Sequence, residues 1–166
     1  MLKENLIESM KEYFGEDQER IKHSLKVTDF AEKLIELHDS EVINEKVIIF
    51  SAILHDVGIK KAEAKYGSSV GKYQEIEGPP IAREILSSFN INKDIVEEIC
   101  EIIGNHHSPG SIDSDNFKIL YDADWLVNLP QTYNLYKIKE VELKSLIERV
   151  YLTETGKSFA ENLLLE

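Results

Sequence analysis

Apolar residues recur at helical spacing along nearly the whole chain, and one segment, residues 44–57, is apolar almost all the way round. Val47, Ile48, Ile49, Phe50, Ala52, Ile53, Leu54 and Val57 leave it no polar face, so a helix built from them has to lie at the centre of a bundle. Convincing two-residue alternation is absent, which argues against a sheet. The expected fold class is therefore all-α, a single-domain helical bundle whose other helices surround that segment.

The surrounding helices can be read from their punctuation. A first helix is expected over about Leu2–Phe14, closed by Gly15. Asp17 opens a second, continued by Ile21, Leu25, Phe30, Leu34 and Leu37, and Gly58 ends the apolar third. Residues 59–78, with Gly67, Ser68, Ser69, Gly71 and Gly78, read as an irregular connection, and a polar connection of that length is more often functional than idle. Pro79-Pro80 then marks the start of a fourth helix to about Phe89, since proline suits a first turn. A fifth is expected over about Asn92–His106. A sixth carries Phe117, Leu120, Trp125, Leu126 and Leu129 and stops at Pro130, and residues 139–166 form two amphipathic helices broken near Thr155-Gly156. These last helices either cover the bundle or make a contact between copies of the chain.

Charge and cysteine usage narrow the function. Thirty-one acidic against 19 basic residues give a net charge of −12, a surface that repels a phosphate backbone, so nucleic acid is not an expected partner. Cys100 is the sole cysteine, which excludes an intrachain disulfide and a zinc ribbon and suits a reducing compartment. Residues 1–10 lack the pattern of a signal peptide, and no apolar run approaches 18 residues. The expectation is a cytoplasmic protein with no membrane partner.

His55 and Asp56 follow directly on the apolar segment. An ionisable pair buried there costs several kcal/mol (~3–5) unless it is paired or binds a cation. Neighbouring side chains on a helix point ~100° apart, so both reach one ion only at a helix end, where Gly58 places them. His23 lies beside an apolar stripe, Asp124 opposite another, and His106 and His107 end a further helix. Imidazole and carboxylate are the ligands that Mn, Fe, Co, Ni or Zn accept. His38, between Leu37 and Asp39, reads as a solvated or capping residue, and Asp122 points away from Asp124, ~200° around the helix.

The order His…His-Asp…Asp, carried by "RIKHSLKVTDFAEKL", "AILHDVGIK" and "ILYDADWLVN", resembles the HD superfamily of metal-dependent phosphohydrolases over roughly residues 17–130. The resemblance implies His23, His55, Asp56 and Asp124 as ligands of a divalent metal that activates water. It also implies a second metal held in part by His106 and His107. Where such relatives carry a further histidine, this chain has Gln74, with Glu75 and Glu77 as candidate replacements, and Glu19 stands one turn before His23. The resemblance further places Asp56 and His106 among catalytic groups. Arg20, one helical turn before His23, is the preferred phosphate clamp, with Lys60, Lys61, Lys65, Lys72 and Arg83 as other candidates. Many relatives have a lysine where this chain has Ile59, so Lys60 is shifted in register. Asn128 is a candidate substrate contact or helix cap, and Tyr66 and Tyr73 candidates to stack on a base. The implied partner is a small phosphorylated molecule of nucleotide type. Two rivals follow from the same residues: an oxygen-dependent di-iron enzyme, and a nucleotide-sensing module without turnover.

Overall fold

The computed structural model describes residues 1–165, and these are helical with no strand. The helices are α1 (Leu2–Phe14), α2 (Gln18–Leu37), α3 (Glu45–Leu54), α4 (Ile59–Tyr66), α5 (Gly71–Leu86), α6 (Lys93–Ile103), α7 (Asp115–Thr132), α8 (Glu140–Val150) and α9 (Glu154–Leu164). A single 3-10 turn, Leu135–Lys137, joins α7 to α8.

α3 is the central element, and α1, α2, α6 and α7 all pack around it. Val47, Ile48, Phe50, Ala52, Ile53 and Leu54 are buried, as a helix without a polar face requires. Several helix starts are held by capping side chains. Asp17, Asn44, Asn92, Ser114 and Thr153 each accept a backbone N–H of the first turn of α2, α3, α6, α7 and α9 respectively. Leu143, Leu146, Ile147, Tyr151 and Ala160 join the same buried core, so α8 and α9 cover the bundle. No helix among the described residues is long and apolar enough to cross a membrane.

Four boundaries differ from the sequence expectation. The stretch after Gly58 is helical: α4 buries Ile59 and Ala62, turns its lysines outward and ends on Gly67, which is left-handed at φ 66°. Pro79-Pro80 does not begin a helix but lies inside α5, which already starts at Gly71. Two backbone donors are missing there, yet packing of the buried Gln74, Glu77 and Gly78 against α4 carries the helix through. Backbone approach is close at this crossing, and a Cβ on Gly58 would meet Gly78 N at 2.7 Å. Finally, α7 runs past Pro130 to Thr132, and the break between the last two helices falls at residues 151–153, so Thr155 and Gly156 lie within α9.

Candidate metal centre

α3 ends at Leu54, and the chain turns through residues 55–58 before α4. That turn presents His55 and Asp56 together, side by side at the end of the apolar helix. α2 supplies His23, α7 supplies Asp124, and the turn after α6 supplies His106 and His107. The four residues read from the sequence as one ligand set therefore meet.

The geometry is tight. His23 Nε2 lies 3.2 Å from His55 Nε2, 3.1 Å from Asp124 Oδ1 and 3.3 Å from Asp56 Oδ2. His55 Nε2 lies 3.4 Å from each of the same two carboxylate oxygens. Donors about 2.1 Å from one transition-metal ion are ~3.0–3.4 Å from each other, so these spacings suit a shared cation. Asp56 also faces the other way: its Oδ1 is 3.5 Å from His106 Nε2. One carboxylate thus belongs to two donor groups, His23–His55–Asp56 and Asp56–His106–His107.

Backbone carbonyls fix two of the rings. His55 Nδ1 donates to Ala52 O and His106 Nδ1 to Ile103 O, both at 2.7 Å. A carbonyl only accepts, so in each ring Nδ1 carries a hydrogen and Nε2 is the atom turned toward the carboxylates. His106 Nε2 is buried and has no hydrogen-bond partner. Imidazole Nε2 atoms gathered against carboxylate oxygens are the donor set that a divalent cation fits.

Electrostatics follow the same logic. Burial opposes charge on His55, but Asp56 and Asp124 outweigh it and draw its pKa well above the ordinary value. Burial likewise pushes Asp56 and Asp124 up, and the neighbouring histidines more than reverse this, holding both carboxyls well below the usual range. His107 goes the other way. Desolvation and then the adjacent His106 push it down to about 4, so it stays a neutral imidazole. A site of ionised carboxylates and basic imidazoles takes up either protons or a metal, so the two compete.

The centre lies at the floor of a cleft of about 520 Å³. Arg20, Lys22 and Lys26 of α2 line it, as do Glu19, Asn128 and Gln131. Arg20 and Asn128 are where the sequence reading put them; Lys22 and Lys26 were missed. Lys26 stands one helical turn after His23 and Lys22 directly before it, and their placement gives a strongly acidic protein a basic rim at this opening.

Other candidates are elsewhere. Lys60 lies over the Tyr13 ring and reaches the Tyr13 carbonyl at 3.5 Å, so it is turned toward α1. Glu77 accepts from Lys65 and Tyr66, each at 2.8 Å, and pairs with Lys61 at 3.3 Å. Those bonds commit Glu77, Lys61 and Lys65 to tying α4 to α5, and they hold the Glu77 carboxyl down at about 2. Glu75 accepts from His107 N and Ser108 Oγ. Tyr66 and Tyr73 stack on each other at 4.1 Å, Lys72 lies over Tyr73, and Arg83 pairs with Glu97. His38 caps α2 and approaches Asp115.

Gln74 stands beside His107. Its amide nitrogen donates to Ser69 O at 2.6 Å, which turns Oε1 toward His107 Nε2 at 2.9 Å. His107 Nε2 is therefore the donor in that bond. Asp122, read as pointing away from the ligands, is fully buried and accepts from Leu152 N, Thr153 N and Thr153 Oγ1. Burial pushes it up to about 6. It anchors the start of α9, a role that no local sequence signal announced.

Comparison with known proteins agrees with this architecture. The HD domain family model matches residues 20–129. An uncharacterized protein of Clostridium beijerinckii is 34% identical over 120 residues, spanning 70% of this chain and 71% of that one. The crystal structure of a predicted HD superfamily hydrolase from an uncultured Thermotogales bacterium is similar with a TM-score of 0.64 at 24% identity, covering 96% of this chain and 83% of that one. At that identity the likeness is one of fold.

Proposed function

Because the chain belongs to the HD domain family, we propose that it is a metal-dependent phosphohydrolase, cleaving a phosphate ester or anhydride of a nucleotide-sized molecule. One observation carries the reading: four ligand-type side chains from α2, the α3–α4 turn and α7 converge within 3.1–3.4 Å beneath a basic rim.

His23, His55, Asp56 and Asp124 would hold the cation. When bound, a divalent transition metal supplies a water of lowered pKa and a Lewis acid for a phosphoryl oxygen. The protein's own groups do the rest. Ala52 O holds the His55 ring with its Nε2 inward, and Ile103 O does the same for His106. Arg20, Lys22 and Lys26 receive the anionic oxygens of the substrate and offset charge that builds up on them. His106 Nε2, buried without a partner beside Asp56, is placed to accept a proton from water.

One tightly held cation is the expected load. The second donor group is short of a ligand, because Gln74 and Glu75 bind His107 and its backbone rather than facing outward.

The test is a metal-reconstituted hydrolysis assay. Metal-stripped protein given Mn, Co or Ni is expected to release phosphate from nucleotide or p-nitrophenyl substrates, and unsupplemented protein is not. Absence of release with every metal, in protein shown to bind one equivalent, overturns the reading.

A further inference from the structure

Cations divide unevenly about His23 in the cleft over the metal centre. Seen down α2, Arg20 lies ~60° to one side of His23, while Lys26 and Lys22 lie ~60° and ~100° to the other. All three line the cleft. Arg20 is already matched, 3.5 Å from Glu63 Oε1 on α4 and 4.0 Å from Asp17 Oδ2. Lys22 and Lys26 are exposed and, among the described residues, make no ion pair or side-chain hydrogen bond, although Glu19 lines the same opening. Their i, i+4 spacing sets the two ammonium groups side by side, where they repel each other.

The α7 side of the cleft is uncommitted too. Asn128 and Gln131 stand about one and two turns after Asp124, and their side-chain amides have no protein partner among the described residues. Ile59 is the only apolar side chain among the described residues that line this cleft. The opening therefore offers a ligand positive charge and hydrogen-bonding groups, and almost no carbon to pack on.

We propose that Lys22 and Lys26 form a second anion subsite, so that the ligand class is a small hydrophilic ester carrying two separated phosphates. One phosphate occupies the metal centre beside Arg20, and the other sits on the lysine pair. The proposal rests on the phosphohydrolase reading for the first phosphate. Unmatched charge carries it for the second: two neighbouring ammonium groups without a carboxylate are relieved by an anion that both can bind. A monophosphate fills only the first place and leaves the pair facing water.

The experiment is calorimetric titration of Mn-loaded protein with pentylphosphonate and with pentane-1,5-diphosphonate, whose C–P bonds are not hydrolysed. The two probes compare one anion with two on the same chain. The diphosphonate is expected to bind about tenfold tighter. In the Lys22→Ala, Lys26→Ala double variant that ratio is expected to fall to about two, the statistical advantage of having two ends that can each reach the metal. Arg20→Ala is expected to weaken both ligands and keep the ratio, because it faces the first anion. Lys33→Ala, on α2 but over the Phe30 ring and outside the cleft, is expected to keep it as well. A wild-type ratio of about two or less overturns the proposal. So does a ratio that Lys33→Ala lowers as far as the double variant does, since the effect is then one of general charge. Phosphate release from p-nitrophenyl phosphate and from pentane-1,5-diyl bisphosphate is read separately. Release together with a ratio of about two removes the second subsite and keeps the hydrolase. A tenfold ratio without release from either ester, in protein holding one equivalent of metal, does the reverse.

Discussion

The two halves of the centre are built from the same kinds of residue and differ in what their lone pairs already do. On one side, His23, His55, Asp56 and Asp124 face one another, and among the described residues no N–H or O–H outside the group satisfies the atoms that converge. On the other side, the polar groups around His106 and His107 are committed. Glu75 holds His107 N and Ser108, Glu77 holds two lysines and a tyrosine, and Gln74 is clamped between Ser69 and His107. A carboxylate whose acceptors are filled by protein donors is a strut, while one facing only other acceptors is a ligand. Residue type does not separate the two; the identity of the neighbours does.

The comparison breaks first at Asp56, the residue that both halves share. Asp56→Ala is expected to lower phosphate release by about 10³-fold or more and strip the metal, with helical circular dichroism near wild type. Retention of full activity would remove the shared carboxylate from the mechanism. Gln74→His is the next test: a third imidazole beside His106 and His107 is expected to raise metal content, by elemental analysis, from one equivalent to two. Unchanged stoichiometry would mean that something other than ligand supply limits the second half. Smaller effects come from the rim. Arg20→Ala is expected to raise KM about tenfold with kcat nearly intact, whereas Lys60→Ala, turned toward α1, should change neither by more than about twofold. The smallest effect concerns a strut. Glu77 has a folded pKa of about 2, below its ordinary 4.5. Its stabilisation is therefore fully present above pH 4.5 and lost as pH falls toward 2. Melting temperatures of Glu77→Gln should lie below wild type at pH 6 and converge with it as acid is added; a constant gap across that window would exclude the ionised strut.

Much of this was legible before folding because it was local. Gly15 closes α1 and Asp17 caps α2 as their residue types suggest, and the faceless apolar stretch is central because it has no other place to go. His23 is one helical turn from Arg20, and both face the cleft. What escaped depended on distant partners. Nothing near Glu77 in sequence says that Lys61, Lys65 and Tyr66 will enclose it, and nothing near Asp122 predicts the N–H groups of residues 152 and 153. The α4 helix is a different failure. Ile59, Ala62 and Tyr66 repeat at helical spacing, but the glycines and serines that follow Tyr66 obscured a signal only eight residues long. Pro79-Pro80 misled because a rule about local donors was overridden by packing of α5 on α4.

Asp122 sits two residues from Asp124, on the opposite side of α7, and latches the last helix in place. Gly156 packs so closely on that carboxylate that even a methyl group would overlap Asp122 Oδ2. Any larger residue at position 156 would lever the tail of the chain away from the bundle. α9, which packs on both α2 and α7, would loosen first, while the ligand cluster on the other side of α7 stayed assembled.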